Sequence, residues 1–427
     1  MEKFVIEGRQ ALAGEIRISG AKNAALPIMA AALLTPEPCV IDNVPAIDDI
    51  RTMVELLSSF GCEVHLDESR HRVTICAANV NSFTIPTQLA TRMRASFLVT
   101  GPLLARFGQA QAPHPGGCAI GRRPVNVDIN GFIAMGAEVD YLESHYSLRA
   151  DHLTARRIYL DYPSHTGTEN LLMAACLARG RTVIKNASAE PEVVDLAEFL
   201  VRMGAHITGA GSSVIQVDGV DELYGVHHRV VSDRIEAGTF AIAAAITGGE
   251  VALRDVLVSH MDPLTYKLQE VGVEVIEGDR TYLVRGRPAL RAVEVQTLHY
   301  PGFPTDLQAA FATLLTQATG TSIVHERVYD NRLLYVEELR KLGACIRVSG
   351  QTATINGPTP LQGGIVRALD IRAGAALILA GLAANGTTEI LDAHHVNRGY
   401  ENIEGKLRQL GANIERVTQE LGAALTP

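Results

Sequence analysis

One cysteine, Cys118, lies in a segment suited to hold an anion. Residues 115–124 read Pro-Gly-Gly-Cys-Ala-Ile-Gly-Arg-Arg-Pro, so glycines surround the thiol and Arg122 and Arg123 follow it. Glycine lets the backbone approach a ligand closely, and the guanidinium fork matches phosphate or carboxylate. These surroundings favour a reactive thiol in an anion-binding loop over the more common role of cysteine as a small buried hydrophobe.

Two further cations begin predicted helices. Lys22, followed by Asn23, precedes the apolar run 24–34, and Arg94 begins the small-residue run 94–102. An anionic ligand is favoured at such a place because the N-terminus of a helix carries partial positive charge. Each cation could also be a solvated surface charge, so the pattern alone leaves both interpretations open.

A carboxylate begins another predicted helix. Asp306 follows Pro304 and Thr305 and precedes an apolar run. Helix capping or a first-turn role is the default for such a residue. If the helix borders a cleft, the same carboxylate could act as a general base.

The elements that carry these residues recur six times. Each copy is a helix that ends at a glycine, followed by a strand rich in valine and isoleucine; the glycines are Gly61, Gly136, Gly204, Gly272, Gly343 and Gly411. They are 68–75 residues apart, a period that indicates a repeat architecture. Glycine suits the left-handed position after a helix, so each copy predicts a small α/β module of βαβ type with extra strands.

Three copies precede roughly residue 230 and three follow it. We therefore predict two similarly built domains, residues 22–231 and residues 1–21 plus 232–427, with the active site in the cleft between them. The N-terminal strand region 4–18 could complete a sheet of the second domain, in which case the chain would cross between domains twice.

Three arginines precede predicted helices in what look like corresponding places of the last repeats. They are Arg332, Arg372 and Arg398. Each alone would suit helix capping or an ion pair, but equivalent positions of stacked units converge in space. The three together predict a cationic cluster for a strongly anionic partner.

Composition excludes several classes of protein. The chain has 427 residues, 47% of them hydrophobic, and a net charge of −9, which disfavours a general nucleic-acid binder. Its longest apolar runs fall short of the ~20 residues that span a membrane, so we expect a cytoplasmic protein. Six dispersed cysteines and scattered histidines give neither a disulfide framework nor a metal site, and we expect no cofactor.

Motifs along nearly the whole chain resemble those of the enolpyruvyl transferases, and among them the branch that uses UDP-N-acetylglucosamine. The resemblance is carried by segments 20–27, 94–96, 101–103, 115–121, 123–125, 190–192, 233–236, 304–308 and 398–401. It implies an α/β fold, a two-domain inside-out α/β barrel with three βαβ-type repeats per domain and the helices packed inward. This agrees with the six copies found above.

The resemblance implies transfer of the enolpyruvyl group of phosphoenolpyruvate to the 3′-hydroxyl of UDP-N-acetylglucosamine with release of phosphate, the first committed step of peptidoglycan synthesis. It gives the catalytic roles to Cys118 as general acid, Asp306 as candidate base, and Lys22. Phosphoenolpyruvate would be held by Lys22, Arg123, Arg398, Arg372 and Arg332. The UDP-sugar would contact Asn23, Arg94, Arg123, Pro124, Val125, Asn126, Val127, Ser164, His165, Asp306 and Val328.

Three departures from the family pattern bear on the acceptor. Tyr162-Pro163-Ser164 stands where better-known members have Lys-Val-Ser, and Asn126 and Asn397 each stand where an aspartate is usual. A related transferase that acts on another nucleotide such as UMP therefore stays open. An enzyme like EPSP synthase has less support, because EPSP synthases have a Lys-Ser pair near their start and lack the cysteine loop that this chain has. RNA 3′-phosphate cyclases have similar repeats, but the acidic chain argues against them.

We expect fosfomycin, an inhibitor that the resemblance implies, to alkylate Cys118 alone. The thiolate is the nucleophilic form of cysteine, and the neighbouring guanidiniums favour it. Peptide mass spectrometry after incubation would locate the adduct. Modification spread over several of the six cysteines would contradict a single activated thiol.

Overall fold

The computed structural model describes residues 2–114, 125–287 and 289–418, so Cys118, Arg122, Arg123 and Pro124 lie outside the described residues. The chain separates into two compact units. The N-terminal unit contains the described residues from 20 to 231. The C-terminal unit contains residues 2–19 and the described residues from 232 to 418.

Each unit contains several β-sheets. Their strands are β1 Glu2–Glu7, β2 Ala13–Arg17, β3 Cys39–Asp42, β4 Glu63–Asp67, β5 Arg72–Cys76, β6 Gln109–Pro113, β7 Glu138–Tyr141, β8 His145–Arg149, β9 Arg157–Tyr159, β10 Arg181–Lys185, β11 His206–Thr208, β12 Val214–Asp218, β13 His227–Arg229, β14 Glu250–Arg254, β15 Glu274–Gly278, β16 Thr281–Arg285, β17 Glu294–Gln296, β18 Gly320–His325, β19 Ile346–Ser349, β20 Thr352–Gly357, β21 Ile365–Arg367, β22 Thr387–Leu391 and β23 Asn413–Thr418.

Helices connect the strands. They are α1 Lys22–Ala31, α2 Asp48–Ser59, α3 Thr87–Arg92, α4 Thr100–Phe107, α5 Asn126–Ala134, α6 His165–Ala175, α7 Pro191–Arg202, α8 Arg234–Thr247, α9 Asp262–Val271, α10 Thr305–Leu315, α11 Tyr335–Lys341, α12 Ile371–Ala383, α13 His394–Asn397 and α14 Ile403–Gln409. Short 3₁₀ helices lie at Ala32–Leu34, Glu68–Arg70, Arg94–Val99 and Val258–His260. No helix of the described residues is long and apolar enough to cross a membrane.

The sheets repeat one topology. In the sheet β9-β10-β12-β11, β9 pairs parallel with β10, and the two remaining pairings are antiparallel. Helix α6 joins β9 to β10 and α7 joins β10 to β11, so a full repeat is βαβαββ. The sheet β6-β8-β7 is shorter, with a single parallel bridge from Thr84 to Gln111 in place of the edge strand. The predicted βαβ unit, whose helix ends at the marker glycine, corresponds to β10-α7-β11 in the full repeat, and the strand β9 and helix α6 precede it.

Strands distant in sequence complete three of the sheets. In the C-terminal unit, β1 lies between β22 and β23, and β2 pairs parallel with β14. In the N-terminal unit, β13 pairs parallel with β3. Both strands of the N-terminal segment therefore belong to the C-terminal unit, which ties the start of the chain to its last repeat.

The first helix of each repeat fills the interior of its unit. Helices α8, α10 and α12 pack on one another in the C-terminal unit. In the N-terminal unit α6 packs on both α1 and α4, and α4 also packs on the 3₁₀ helix Ala32–Leu34 that continues α1. Every residue of α12 except Ile371 is buried. A helix that is apolar on all sides must be enclosed, and small alanine and glycine side chains allow helices to approach closely. With three sheets outside these helices in each unit, the predicted inside-out α/β fold is confirmed.

The second helix of each repeat ends at the glycine that marked the repeat. All six of these glycines have φ between +92° and +108°, the left-handed region that favours glycine; they are Gly61, Gly136, Gly204, Gly272, Gly343 and Gly411. The sequence period therefore reflects helix termination, as predicted.

We expect Gly61→Ala to lower the free energy of unfolding more than Gly136→Ala. Both glycines follow an outer helix of the same unit with φ of +97°, so alanine at either costs about 1–2 kcal/mol in a left-handed conformation. Only at Gly61 would the new Cβ also lie 2.6 Å from a carbonyl oxygen, that of Asn79; at Gly136 no described atom lies within 4 Å. Urea unfolding measures both losses, and equal values would contradict this account.

Candidate active site

Two buried arginines converge on Asp306 in the first turn of α10. Oδ1 of Asp306 accepts a hydrogen bond from Nη2 of Arg332 at 2.7 Å, and Oδ2 accepts one from Nη2 of Arg372 at 2.8 Å. The guanidinium side chains are only 4% and 8% exposed, while the carboxylate side chain is 24% exposed. The carboxylate thus compensates two buried charges and still reaches the surface of its unit.

Both arginines remain charged and retain unused donors. Burial alone would lower the pKa of Arg332, but Asp306, Tyr329 and Asp370 overcome that effect and raise it. The pKa of Arg372 is likewise raised against burial, chiefly by Asp306. Within the part of the chain that the structure describes, Nη1 of each arginine is buried without a hydrogen-bond partner. Buried unsatisfied donors are rare in proteins, and two of them on neighbouring guanidiniums suit a phosphate or carboxylate ligand.

The predicted equivalence of the three arginines is wrong. Arg332 and Arg398 each precede an outer helix, α11 and α14, but Arg372 is the second residue of the inner helix α12. In the preceding repeat that place belongs to Asp306, the second residue of α10. Because α10 and α12 pack side by side, the repeat brings a carboxylate and a guanidinium together at equivalent positions.

Two other predicted residues of the C-terminal unit lie in turns. Arg398 follows α13 and is partly buried. Burial lowers the pKa of His395, and the charges of His394 and Arg398 lower it further. Val328 follows β18, is partly buried, and its backbone N–H donates to Oε1 of Glu326 at 2.8 Å.

In the N-terminal unit, Lys22 is the first residue of α1, as predicted. Its Nζ lies 3.3 Å from Oδ2 of Asp49, and the two side chains are 11% and 5% exposed. A buried ammonium requires a carboxylate partner, so Asp49 in the first turn of α2 fixes where Lys22 can reach. Asn23 follows on the same turn and is partly buried. Sequence reasoning missed Asp49, since nothing in the chain links residues 22 and 49.

The segment predicted to contact the acceptor begins α5. Val125 and Val127 are buried, and Asn126, the first residue of the helix, is exposed. The two valines anchor the helix start in the core, so the polar side chain between them faces outward. Arg123 and Pro124 lie outside the described residues.

Asp128 connects this helix to Arg94. Burial raises the pKa of Asp128 to about 6, against the opposing effects of a hydrogen bond from Asn170 and the charge of Arg94. The amide of Asn170 donates to Oδ1 of Asp128 at 2.9 Å, and its Oδ1 accepts from the backbone N–H of Gly101 at 2.7 Å. Asn170 on α6 therefore fixes α4 and α5 relative to each other. Arg94 is the first residue of the 3₁₀ helix that leads into α4, so its position is fixed with that helix.

Ser164 and His165 begin α6. The hydroxyl of Ser164 caps the helix by accepting from the N–H of Gly167 at 3.1 Å. His165 Nε2 lies 3.0 Å from Oε1 of Glu169, one turn along. Burial opposes charge on His165, but Glu169, with Glu190 and Glu192, raises the pKa of the imidazole, while burial raises the pKa of Glu169. The i, i+4 spacing of His165 and Glu169 is a signal that could have revealed this pair from sequence.

The described cysteines differ in how readily they could react. Burial raises the pKa of Cys39 to about 11 and the pKa of Cys62 and Cys176 to about 12. Cys345 is exposed and Cys76 is partly buried. Low thiolate fraction therefore protects three of these thiols, and Cys345 is the exposed control for alkylation at Cys118.

We expect Asp128→Asn to stabilise the N-terminal unit at pH 7.5 more than at pH 4. The folded pKa of about 6 lies above the ordinary 3.8, so the wild-type carboxyl contributes stability below about pH 4 that is lost as the pH rises through 6. Asparagine keeps the shape and removes the charge. Urea unfolding across this range measures the difference between variant and wild type.

Asp42→Asn is the matched control in the same unit. Hydrogen bonding to Arg72 lowers the pKa of Asp42, so its contribution to stability is present at neutral pH and lost in acid. The two variants should therefore change with pH in opposite directions. The same direction for both would contradict the assigned environment of Asp128.

Similarity to known proteins extends over nearly the whole chain. The profile of the family described as EPSP synthase (3-phosphoshikimate 1-carboxyvinyltransferase) matches residues 6–407. The chain is 50% identical to UDP-N-acetylglucosamine 1-carboxyvinyltransferase 2 of Carboxydothermus hydrogenoformans, covering 98% of this chain and 100% of that protein. It is also 50% identical to the UDP-N-acetylglucosamine 1-carboxyvinyltransferase of Halorhodospira halophila, with the same coverage.

Solved structures of enolpyruvyl transferases have a similar fold. The enolpyruvyl transferase NikO from Streptomyces tendae superimposes with a TM-score of 0.89 at 26% identity, over 98% of this chain and 99% of NikO. An EPSP synthase from Acinetobacter baumannii gives 0.77 at 17% identity, over 98% of this chain and 100% of that one, and shows the shared fold alone. Repeats, buried arginines and these similarities lead to one conclusion: the chain belongs to the EPSP synthase family of carboxyvinyltransferases.

Proposed function

We propose that this protein transfers the enolpyruvyl group of phosphoenolpyruvate to the 3′-hydroxyl of UDP-N-acetylglucosamine and releases phosphate, the first committed step of peptidoglycan synthesis. Relatives with 44–50% identity over 97–98% of the chain are named for this acceptor. The observation that carries the proposal is the site at Asp306, where two buried guanidiniums flank one carboxylate and each keeps an unsatisfied donor. The same proposal includes a cytoplasmic location and small molecules as the only substrates. It includes no binding to nucleic acid or to a membrane.

The reaction needs three proton transfers and a cationic site (the clamp) for the substrate anions. In the addition step the acceptor oxygen bonds to C2 of phosphoenolpyruvate, loses its proton to a base, and the methylene carbon gains a proton from an acid. In the elimination step the new methyl group loses a proton and phosphate leaves, which restores the double bond. Cationic groups stabilise the phosphate and carboxylate throughout.

The C-terminal unit supplies the clamp and the base. Arg332 and Arg372 bind the anionic groups of phosphoenolpyruvate through their buried donors, with Arg398 as a further cation. A carboxylate that accepts two guanidinium hydrogen bonds is a weak base. A substrate anion bound at Nη1 of the two guanidiniums offsets part of the positive charge that stabilises the Asp306 carboxylate, so Asp306 becomes a better proton acceptor for the sugar hydroxyl. Substrate binding would thus prepare the base for the reaction.

The N-terminal unit supplies the acid and most acceptor contacts. Cys118 is the proposed acid, Lys22 and Arg123 complete the phosphoenolpyruvate contacts, and the UDP-sugar meets Asn23, Arg94, Pro124, Val125, Asn126, Val127, Ser164 and His165, with Asp306 and Val328 from the C-terminal unit. His165 lies beside Glu169, and that carboxylate raises its pKa against the effect of burial.

Incubation with phosphoenolpyruvate and UDP-N-acetylglucosamine should release phosphate, as measured by a colorimetric assay. UMP and shikimate 3-phosphate, tested in parallel, should give none. Asp306→Asn keeps the shape of the side chain and should lower kcat by about 10²-fold or more, the usual contribution of general acid–base catalysis. Turnover of UMP with silence toward UDP-N-acetylglucosamine would replace the acceptor in this proposal.

A further inference from the structure

A buried carboxylate next to the proposed base has no role in the reaction as described so far. Glu326 follows β18 and is 2% exposed. Its Oε2 accepts from the hydroxyl of Thr305 at 2.9 Å, and its Oε1 accepts from the hydroxyl of Thr297 at 2.8 Å. Oε1 also accepts from the backbone N–H of Val328 at 2.8 Å and of Tyr329 at 3.2 Å.

The four donors explain why the residue is a glutamate. They are two hydroxyls and two backbone amides, and none is a charged side chain. An ionised carboxylate accepts hydrogen bonds at both oxygens, whereas the amide of glutamine would turn an NH₂ group toward one set of donors. Burying a charge is costly unless hydrogen bonds compensate it. The four hydrogen bonds together provide that compensation for the Glu326 carboxylate, so the loss of any one of them weakens the network.

The partners of Glu326 connect three residues of the proposed site. Thr305 immediately precedes Asp306 in the first turn of α10. Val328 is a proposed acceptor contact. The centre of the Tyr329 ring lies 5.2 Å from the guanidinium carbon of Arg332, whose Nη2 donates to Asp306. One carboxylate therefore fixes the start of α10 and the turn 326–329 relative to each other.

We propose that Glu326 is a positioning residue that holds the base Asp306, the acceptor contact Val328 and the clamp residue Arg332 in one rigid arrangement. The proposal rests on the proposed function for the roles of those three residues. Contact with the acceptor at Val328 is then transmitted to Asp306 through Glu326 and Thr305. A misplacement of about 1 Å in such an arrangement can cost two orders of magnitude in rate.

Isosteric variants separate the connections. Thr305→Val removes only the bond to α10, and we expect kcat to fall about tenfold while KM for UDP-N-acetylglucosamine stays within about twofold. Glu326→Gln disturbs both connections and should lower kcat at least as much and also raise that KM. Thr313→Val is the matched control: the same substitution on the same helix, where the buried hydroxyl donates only to the helix carbonyl of Ala309. It should leave both constants unchanged.

Amide hydrogen exchange gives a readout that does not depend on activity. Glu326→Gln should speed exchange at Val328 and Tyr329 about tenfold, and Thr313→Val should not. Unchanged exchange in Glu326→Gln, or kinetics of Thr305→Val and Glu326→Gln no different from those of Thr313→Val, would overturn the positioning role. If the wild-type protein instead turns over no UDP-N-acetylglucosamine, the proposed function fails, and the exchange experiment still decides whether Glu326 holds the turn.

Discussion

The ion triad of Asp306, Arg332 and Arg372 is the interaction on which the proposed site depends. Two guanidiniums buried to this degree would be strongly destabilising without a counter-charge, and the carboxylate provides it at 2.7 and 2.8 Å. One negative charge between two positive ones leaves a net positive charge. The triad is therefore stable enough to fold and remains attractive to an anion.

The scaffold places similar chemistry at the start of the inner helices in both units. Lys22 begins α1, His165 begins α6, and Asp306 and Arg372 are second residues of α10 and α12. Arg94 begins the short helix that leads into α4. The inner helices consist mostly of small and apolar residues that build the core, and these titratable side chains lie at the helix ends. The partial positive charge of those ends adds to the preference for anions.

Buried partners then determine where each end residue points. Lys22 is held by Asp49, His165 by Glu169, and the first turn of α10 by Glu326 through Thr305. Asn170 joins three elements of the N-terminal unit by donating to and accepting from them. These partners do not belong to the proposed reaction themselves, but each limits the geometry of a residue that does. Precise placement of a few charged groups is what a transfer between two anionic substrates requires.

The sequence alone determined the repeat, the glycine at the end of each outer helix, the family and the residue types of the site. These are local or periodic properties, because a left-handed position after a helix selects glycine wherever it occurs. Only the tertiary structure decided which residues meet. The packing of α10 on α12 brings Asp306 and Arg372 together, and Arg332 joins them from the segment before α11. Arg372 proved equivalent to Asp306 rather than to Arg332. Glu326 and Asp49 were invisible to sequence reasoning for the same reason: their importance lies in hydrogen bonds and ion pairs to residues on other elements, which no spacing along the chain encodes.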